Sequence, residues 1–478
     1  MAVDQHCRID KMSKICFLIP DGVGIRNYLY SDLLRILHQE GHEVVIWHAL
    51  DQQVVELSSQ LNGFTPQQVG FRFFTDDFII QLLSESTTYA RLKHNERLTS
   101  NPTIMLNWHE KKGTFKRKAL IWLAEWIGKT ISSYQSITAT EGIYFARLRK
   151  TEAYRSYKTT LKEINPDVLY CTHQRFQGAT YAMGAAEDLG ILTMTAIFSW
   201  DNLPKARLPI RADYYTVWSG YMAEELKFYY PEIQQTQILI TGTPQFDFYK
   251  NENCIQSREK FAAQFGLDPS KHWVCFSGCD VKTSPFDAAY LEDVAIALKD
   301  QEDIQLIFRQ VPVETADRYQ NVLAAFPQII HLDPIWHKGE YWSEFYPYPE
   351  DVAHLVNLSY HCVTAVNIGS TMALDFSWFD SPGIYLNYDH SPNQAWTVRD
   401  IYRFQHFRSM GSWEAVAWAN SKEEILERVR QIIDQPDSVA KDRKRWLEKI
   451  VEPNRSKSAS LALAEAIVSA RTITQSFN

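Results

Sequence analysis

Asn367-Ile-Gly369-Ser370-Thr371 follows an apolar run, His361 to Val366, and leads into Met-Ala-Leu-Asp375. A strand that delivers a turn of small and hydroxyl-bearing residues into a helix presents free backbone N–H groups and the positive end of the helix dipole, and both favour an anion. Such a turn can hold a phosphate without a metal. Asp375 lies four residues past Thr371 on the same helix face, where a carboxylate suits hydrogen bonds from ribose hydroxyls. The same residues would equally serve as a plain helix cap, with Asp375 offsetting the dipole.

Ligands of open parallel sheets bind beyond the carboxyl ends of the strands, so four further turns of this kind matter. Trp273-Val-Cys-Phe-Ser277-Gly278 runs into polar residues that include Lys282, offering backbone donors and a charge to the same anion. Ile307-Phe-Arg309 ends a strand on a guanidinium, whose fork of donors suits a diphosphate; a surface ion pair is the alternative. Asp21-Gly22-Val-Gly24-Ile-Arg26 leaves the first strand with two glycines that admit a close approach to the backbone, without the spacing of the dinucleotide fingerprint. Phe198-Ser-Trp200-Asp201-Asn202 combines an aromatic platform with two hydrogen-bonding side chains, a composition suited to a sugar or to a capped turn. Thr172-His173-Gln-Arg175 occupies the equivalent place after Val168 to Cys171.

The elements that must position these turns alternate. Lys14 to Pro20 reads as a strand, Tyr28 to Glu40 as a helix ended by Gly41, and His42 to Trp47 as a second strand, which makes a βαβ unit and a parallel sheet. Asn165 to Cys171, Ile191 to Phe198, Ala212 to Trp218 and Gln237 to Thr241 continue that sheet. A second series starts after Gly266-Leu-Asp-Pro269, with strands at Trp273 to Ser277, Ile304 to Phe308, Ile329 to Leu332, His361 to Val366 and Gly383 to Leu386. Three terminal helices follow, separated by Pro436 and Pro453. The expected division is an α/β chain of two Rossmann-like domains facing across a cleft. Residues 1–245 form the first, with a helical insertion at about 75–160; residues 246–440 form the second; residues 441–478 are helices packing back on the first.

At 478 residues the chain exceeds one ordinary core, given roughly 100 to 200 residues per domain. Its formal net charge of -8 gives no overall attraction to nucleic acid, so an anionic ligand must be held by local groups. The 7 cysteines lack the paired spacings of a zinc site or the density of a secreted scaffold, which predicts reduced thiols in a cytoplasmic protein.

The twin Rossmann-like halves, Ser199-Trp-Asp-Asn202 with Arg207-Leu-Pro209, Thr241-Gly-Thr-Pro-Gln245-Phe-Asp247 and Asn367 to Asp375 together resemble the GT-B glycosyltransferases. Within them the pattern is similar to the bacterial surface-polysaccharide and glycerophosphotransferase-like branch. The resemblance covers most of residues 14–470 except the insertion. It implies an enzyme that moves a sugar from a nucleotide-sugar donor, held by the second domain, to a hydroxyl of a surface glycan or lipid-linked precursor held by the first. Donor contacts would come from Ser277, Gly278, Lys282, Arg309, Asn367, Gly369, Ser370, Thr371 and Asp375, and acceptor contacts from Gly22, Gly24, Arg26, Trp200 and Asn202. An inverting reaction needs a base, for which Asp21 is the first candidate, His173 the second and Asp201 the third. No pair of glutamates eight positions apart lies between His331 and Asp380, which favours inversion. No Asp-x-Asp motif is present, so the expectation is no metal, with the nucleotide sugar as co-substrate rather than a resident cofactor. Transfer of a polyol phosphate from a cytidine diphosphate donor, nucleotide-sugar 2-epimerisation and non-catalytic carbohydrate binding are the alternatives.

Inside the insertion, Lys111-Lys-Gly-Thr-Phe-Lys116-Arg-Lys118 runs into a helix with Leu120, Leu123, Ala124, Ile127 and Ile131 on one face and Trp122 and Trp126 on another. A basic segment leading into such a helix suits the surface of an anionic membrane, where a peripheral enzyme would meet a lipid-linked acceptor. A core helix after a solvated basic loop is the plainer alternative.

Overall fold

The structure, a computed structural model, describes residues 12–108, 113–205, 207–339, 344–390, 396–451 and 456–476. Lys111 and Lys112 of the basic block lie outside them. Among the described residues seven parallel strands make the first sheet: β1 (Lys14–Ile19), β2 (Glu43–His48), β3 (Gln67–Gly70), β4 (Val168–Cys171), β5 (Leu192–Ala196), β6 (Tyr214–Val217) and β7 (Ile238–Ile240), in the order β3-β2-β1-β4-β5-β6-β7. Both faces are covered, which is why β1 is apolar throughout: Cys16 and Leu18 enter one core, Ile15, Phe17 and Ile19 the other.

The second sheet contains β8 (His272–Ser277), β9 (Ile304–Arg309), β10 (Ile330–His331), and then, after a two-stranded antiparallel ribbon of β11 (Trp336–His337) and β12 (Tyr346–Pro347), the strands β13 (Thr364–Asn367), β14 (Gly383–Leu386) and β15 (Ala417–Ala419). Its order is β10-β9-β8-β13-β14-β15. Trp273 and Cys275 face one core and Val274 and Phe276 the other, repeating the double coverage of β1. The architecture is two Rossmann-like domains, as the alternation of apolar runs and helices implied.

Among the described residues four helices build the insertion, Phe78–Thr99, Phe115–Thr130, Tyr134–Leu148 and Glu152–Ile164. The first and third of these are tied together by a buried ion pair, Arg91 Nη2 to Glu141 Oε1 at 3.0 Å, and Arg211 Nη2, in the loop before β6, reaches the other oxygen of Glu141 at 3.2 Å. At the other end, helix Arg443–Val451 inserts Trp446 between Trp200 of the first domain and Ser409 of the second. The last helix, Ala459–Ser476, lays Leu463, Ala464 and Ile467 on the first sheet. Asp247 starts that helix by accepting from the backbone N–H groups of Ala459 and Ser460, each at 2.8 Å. The C-terminal helices thus cross back, and Asp247 of the Thr241–Asp247 motif is the residue that fastens the crossing.

Candidate functional site

Strand register brings the site together. Leu18 pairs with Cys171, so the residues that leave β1 and β4 emerge side by side, and Ser277 pairs with Arg309 at the ends of β8 and β9. Asp21, 1% exposed, accepts from Nδ1 of His173, 7% exposed, at 2.5 Å. The first and second candidates for the base are therefore one unit. A carboxylate that accepts a hydrogen bond from Nδ1–H fixes the imidazole tautomer and leaves the lone pair of Nε2 as the basic site. Phe198, at the end of the next strand, packs edge-on against the ring at 4.5 Å.

Asp201 belongs to a separate cluster. It accepts from Ser199 Oγ at 2.7 Å and from Asn202 Nδ2 at 3.2 Å, and it pairs with Lys205. Burial opposes its ionisation, but Lys205 and His406 outweigh burial and hold the carboxyl below the usual range. Burial pushes His406 down to about 4 against the pull of Asp201, so at neutral pH the charge opposite Asp201 is Lys205. The open aromatic platform expected at Trp200 is absent: the ring is 1% exposed, packed edge-on by His406, Phe407 and Trp446. Asn202 is buried beside Asp201 as the first residue of a short helix. This segment is a domain junction, since His406 and Phe407 come from the second half of the chain.

The room left by the first-domain glycines is filled by the protein. A methyl group on Gly22 would lie 1.9 Å from the carbonyl oxygen of Phe345, and one on Gly24 would lie 2.8 Å from Thr172 Oγ1. Gly22 therefore lets the ribbon of the second domain dock on the first, where Tyr30 donates its hydroxyl to Pro347 O at 3.1 Å. Neither glycine opens onto an acceptor as expected. Arg26 also departs from expectation: its charge acts on Asp375 and Tyr249, the donor side.

On that donor side, Asp375 is buried and accepts from the Tyr249 hydroxyl at 2.8 Å. Burial pushes it up to about 6, against the Tyr249 hydrogen bond and the charges of Arg26 and Arg309. Arg309 donates Nη2 to both oxygens of Asp351, at 3.0 and 2.8 Å, and keeps a buried Nη1 with no partner among the described residues. Asp351 also accepts from Ile335 N at 2.8 Å and Trp336 Nε1 at 2.7 Å, so Arg309 is held firmly with one donor to spare.

In the Asn367 turn, Asn367 Oδ1 accepts from Ser370 N at 2.9 Å. Gly369 has φ 63°, and a methyl group there would meet Ile401 and Phe407 at 3.0 and 3.1 Å, so glycine is required twice over. Ser370 Oγ takes Met372 N at 3.3 Å as a local cap, whereas Thr371 is exposed and makes no capping bond. The helix behind the turn, Met372–Trp378, has 7 residues, so its dipole is short and an anion would rely on local N–H and hydroxyl groups.

Ser277 is buried, Gly278 N donates to Arg309 O at 2.8 Å, and Gly278 packs against Tyr319 and Asp287. Cys279 N donates to Asp287 Oδ2 at 3.0 Å, and burial pushes Asp287 up to about 6. Lys282 is solvent-exposed on the rim. Sequence reasoning missed Tyr249, Asp351 and Asp287. Tyr249 stood two residues past a quoted motif; the other two sit on helices with no local signal. Among the described residues no group of three or more His, Cys, Asp or Glu side chains is placed to hold a metal ion, and the six described cysteines are free thiols.

No protein-family model matches the chain, and no curated protein sequence does. Solved structures do match in shape. A UDP-N-acetylglucosamine 2-epimerase superposes with a TM-score of 0.54 at 12% identity, covering 98% of this chain and 97% of that one. The Neisseria meningitidis UDP-GlcNAc 2-epimerase bound to UDP-GlcNAc gives 0.50 at 10%, covering 95% and 100%, and S. aureus MnaA with UDP gives 0.50 at 9%, covering 95% and 96%. At such identities the likeness is one of fold, and the chain has the GT-B fold: two facing Rossmann-like domains with terminal helices crossing back.

Proposed function

We propose that the chain is a metal-independent enzyme acting on a nucleotide sugar, and that it transfers the sugar with inversion to a hydroxyl of a glycan or lipid-linked acceptor. The observation that carries this is the Asp21–His173 pair, at 2.5 Å, at the carboxyl end of the sheet, where the charge of nearby Arg26 acts on the donor-side Asp375. Nε2 of His173 takes the proton of the acceptor hydroxyl, whose oxygen attacks the anomeric carbon. The bond from that carbon to the diphosphate breaks, and the nucleotide diphosphate leaves with the electron pair. The spare Nη1 of Arg309, the Thr371 hydroxyl and backbone N–H groups of the two turns stabilise the charge on the leaving group. The UDP and UDP-GlcNAc bound in two of the structural neighbours support a nucleotide-sugar donor.

Membrane docking belongs to the same reading. Phe115, Trp122 and Trp126 are 86%, 59% and 61% exposed on one face of helix Phe115–Thr130, beside Lys116, Arg117 and Lys118. No helix among the described residues is long and apolar enough to cross a membrane, so contact would be peripheral.

A second reading, nucleotide-sugar 2-epimerisation, is favoured by the named activity of two structural neighbours. One experiment separates the two. A thermal-shift panel of UDP, GDP, CDP, dTDP and CMP finds the base, and the matching nucleotide sugars are then followed by NMR. Release of nucleotide that depends on an added acceptor supports transfer, whereas an inverted C2 centre without acceptor supports epimerisation. No response to any nucleotide overturns both.

A further inference from the structure

A cavity of about 580 Å³ lies inside the first domain, between the insertion helices and the carboxyl edge of the sheet. Its walls carry four cations, Arg117, Arg175, Lys205 and Arg207, and two acids, Asp76 and Glu85. Lys205 is paired with Asp201, and Asp76 accepts from the Tyr181 hydroxyl. The three arginines are different. Arg207 is nine-tenths buried, donates Nη2 to Ser84 Oγ at 2.7 Å, sits 5.1 Å from the centre of the Tyr144 ring, and has a buried Nη1 with no acceptor among the described residues. Among the described residues neither Arg175 nor Arg117 forms a side-chain hydrogen bond or ion pair, and the one carboxylate whose charge acts on Arg175, Asp201, is already paired with Lys205.

Guanidinium groups that line a concave site without carboxylate partners favour an anion with several acceptor oxygens, and a planar fork of donors matches a phosphoryl group. The volume lies within the range of about 300–1,000 Å³ typical of small-molecule sites. Position supplies the rest. Arg175 is two residues beyond His173 in the loop after β4, so their Cα atoms lie within about 7 Å of each other. Arg117 lies on the helix with the exposed tryptophans, so one wall of the cavity belongs to the helix that would meet a membrane.

We propose that this cavity is an anion subsite of the acceptor, holding the phosphate or diphosphate of a phosphorylated saccharide or of a lipid-linked one. The proposal rests on the transferase reading, since an epimerase takes no second substrate. It also explains the insertion, whose helices close the cavity and supply Arg117.

The test uses the full chain and two probes, glucose 1-phosphate in solution and farnesyl phosphate in detergent, with binding followed by calorimetry. At least one probe is expected to bind the parent, to bind Arg175→Gln at least tenfold more weakly, and to weaken with added salt. Arg175→Lys, which keeps the charge and loses the fork, is expected to fall between them. Arg207→Gln should act likewise; if its burial prevents folding, the exposed Arg175 variants still decide. Preference for glucose 1-phosphate identifies a soluble acceptor, and preference for farnesyl phosphate a lipid-linked one. Absence of binding by both probes, or binding unchanged in Arg175→Gln, overturns the proposal. The nucleotide thermal shift is measured in parallel: if it persists while the probes fail, only the subsite is lost, and if it is absent, the transferase reading has failed instead.

Discussion

Replacing Asp351 by asparagine removes the carboxylate paired with Arg309 while keeping the shape of the side chain. Both partners are buried, and removing one member of a buried ion pair costs about 3–5 kcal/mol because the other charge is left uncompensated. Asparagine retains one acceptor oxygen for Ile335 N or Trp336 Nε1, which recovers about 1 kcal/mol. The expected net loss is about 2–4 kcal/mol, read as a lower urea midpoint at constant slope. Ligand then gives a second measurement. A ligand at a hundred times its Kd stabilises the parent by about 2.7 kcal/mol. If the spare donor of Arg309 meets the diphosphate, a nucleotide sugar supplies the variant with its missing counter-charge, and the ligand-induced stabilisation at the same concentration should be larger by about 1 kcal/mol or more. A stability loss under about 1 kcal/mol would show that the pair does not hold Arg309 in place. Equal ligand stabilisation in parent and variant would refute the placement of Arg309 at the diphosphate.

His173→Ala should abolish turnover while the nucleotide thermal shift survives, and Asp21→Asn, which removes the charge that orients the imidazole, should lower kcat by roughly 10²–10⁴-fold; normal turnover in either variant moves the base elsewhere. Burial pushes Asp287 and Asp375 up to about 6, so both are ionised at pH 7.5 and mostly neutral at pH 5.5. Affinity for a UDP-sugar, whose diphosphate does not titrate in that interval, should therefore rise as pH falls, and Asp375→Asn should flatten the dependence in calorimetry. The same groups bind protons in the folded chain but not in the unfolded one between their ordinary value of 3.8 and about 6, so their contribution to stability falls as pH rises through that window and is constant above it. Liposomes of anionic lipid should sediment with the parent, and neutralising Lys116, Arg117 and Lys118 at about 1 kcal/mol each should cut partitioning on the order of a hundredfold, with Lys111 and Lys112 added in a second variant; sedimentation unchanged by all five replacements would sink the membrane reading.

Much of the fold was legible because each buried strand carries its own signal. β1 and β8 are apolar on both faces, and Gly41 marks the end of the first helix by adopting φ 87°. The edge strand β3, Gln-Gln-Val-Gly, carries no such signal, since an edge need not be apolar and its pairing with β2 is made by the backbone. The helix expected from Tyr28 begins only at Leu33, because residues 22–29 are taken up by a 3₁₀ turn and a π-helical turn packed under Thr172 and the β12 ribbon. Candidate site residues were legible as types at strand ends and illegible as partners. Asp21 and His173 are 152 positions apart, Tyr249 and Asp375 126, Arg309 and Asp351 42. Local spacing says nothing about register across a sheet or about which face of one domain meets the other.

Those long-range pairs also bear on the choice between transfer and epimerisation, which the fold alone leaves open. The Asn367 turn offers an anion little help from its seven-residue helix, so donor binding depends on Arg309 and hence on Asp351, a feature either activity would use. The first domain is where they part. An epimerase takes no second substrate, whereas here a cavity opens in the first domain, walled by the insertion helices and by Arg175 and Arg207, neither of which forms a carboxylate ion pair among the described residues. Keeping Arg207 nine-tenths buried with an idle donor is unfavourable unless something charged occupies that space. If Arg207→Met proved more stable than the parent and equally active in transfer, the cavity would have no substrate to hold and the case for a second substrate would fall with it. Loss of acceptor-dependent turnover in the same variant, with the nucleotide thermal shift intact, is the outcome that the arrangement of charges requires.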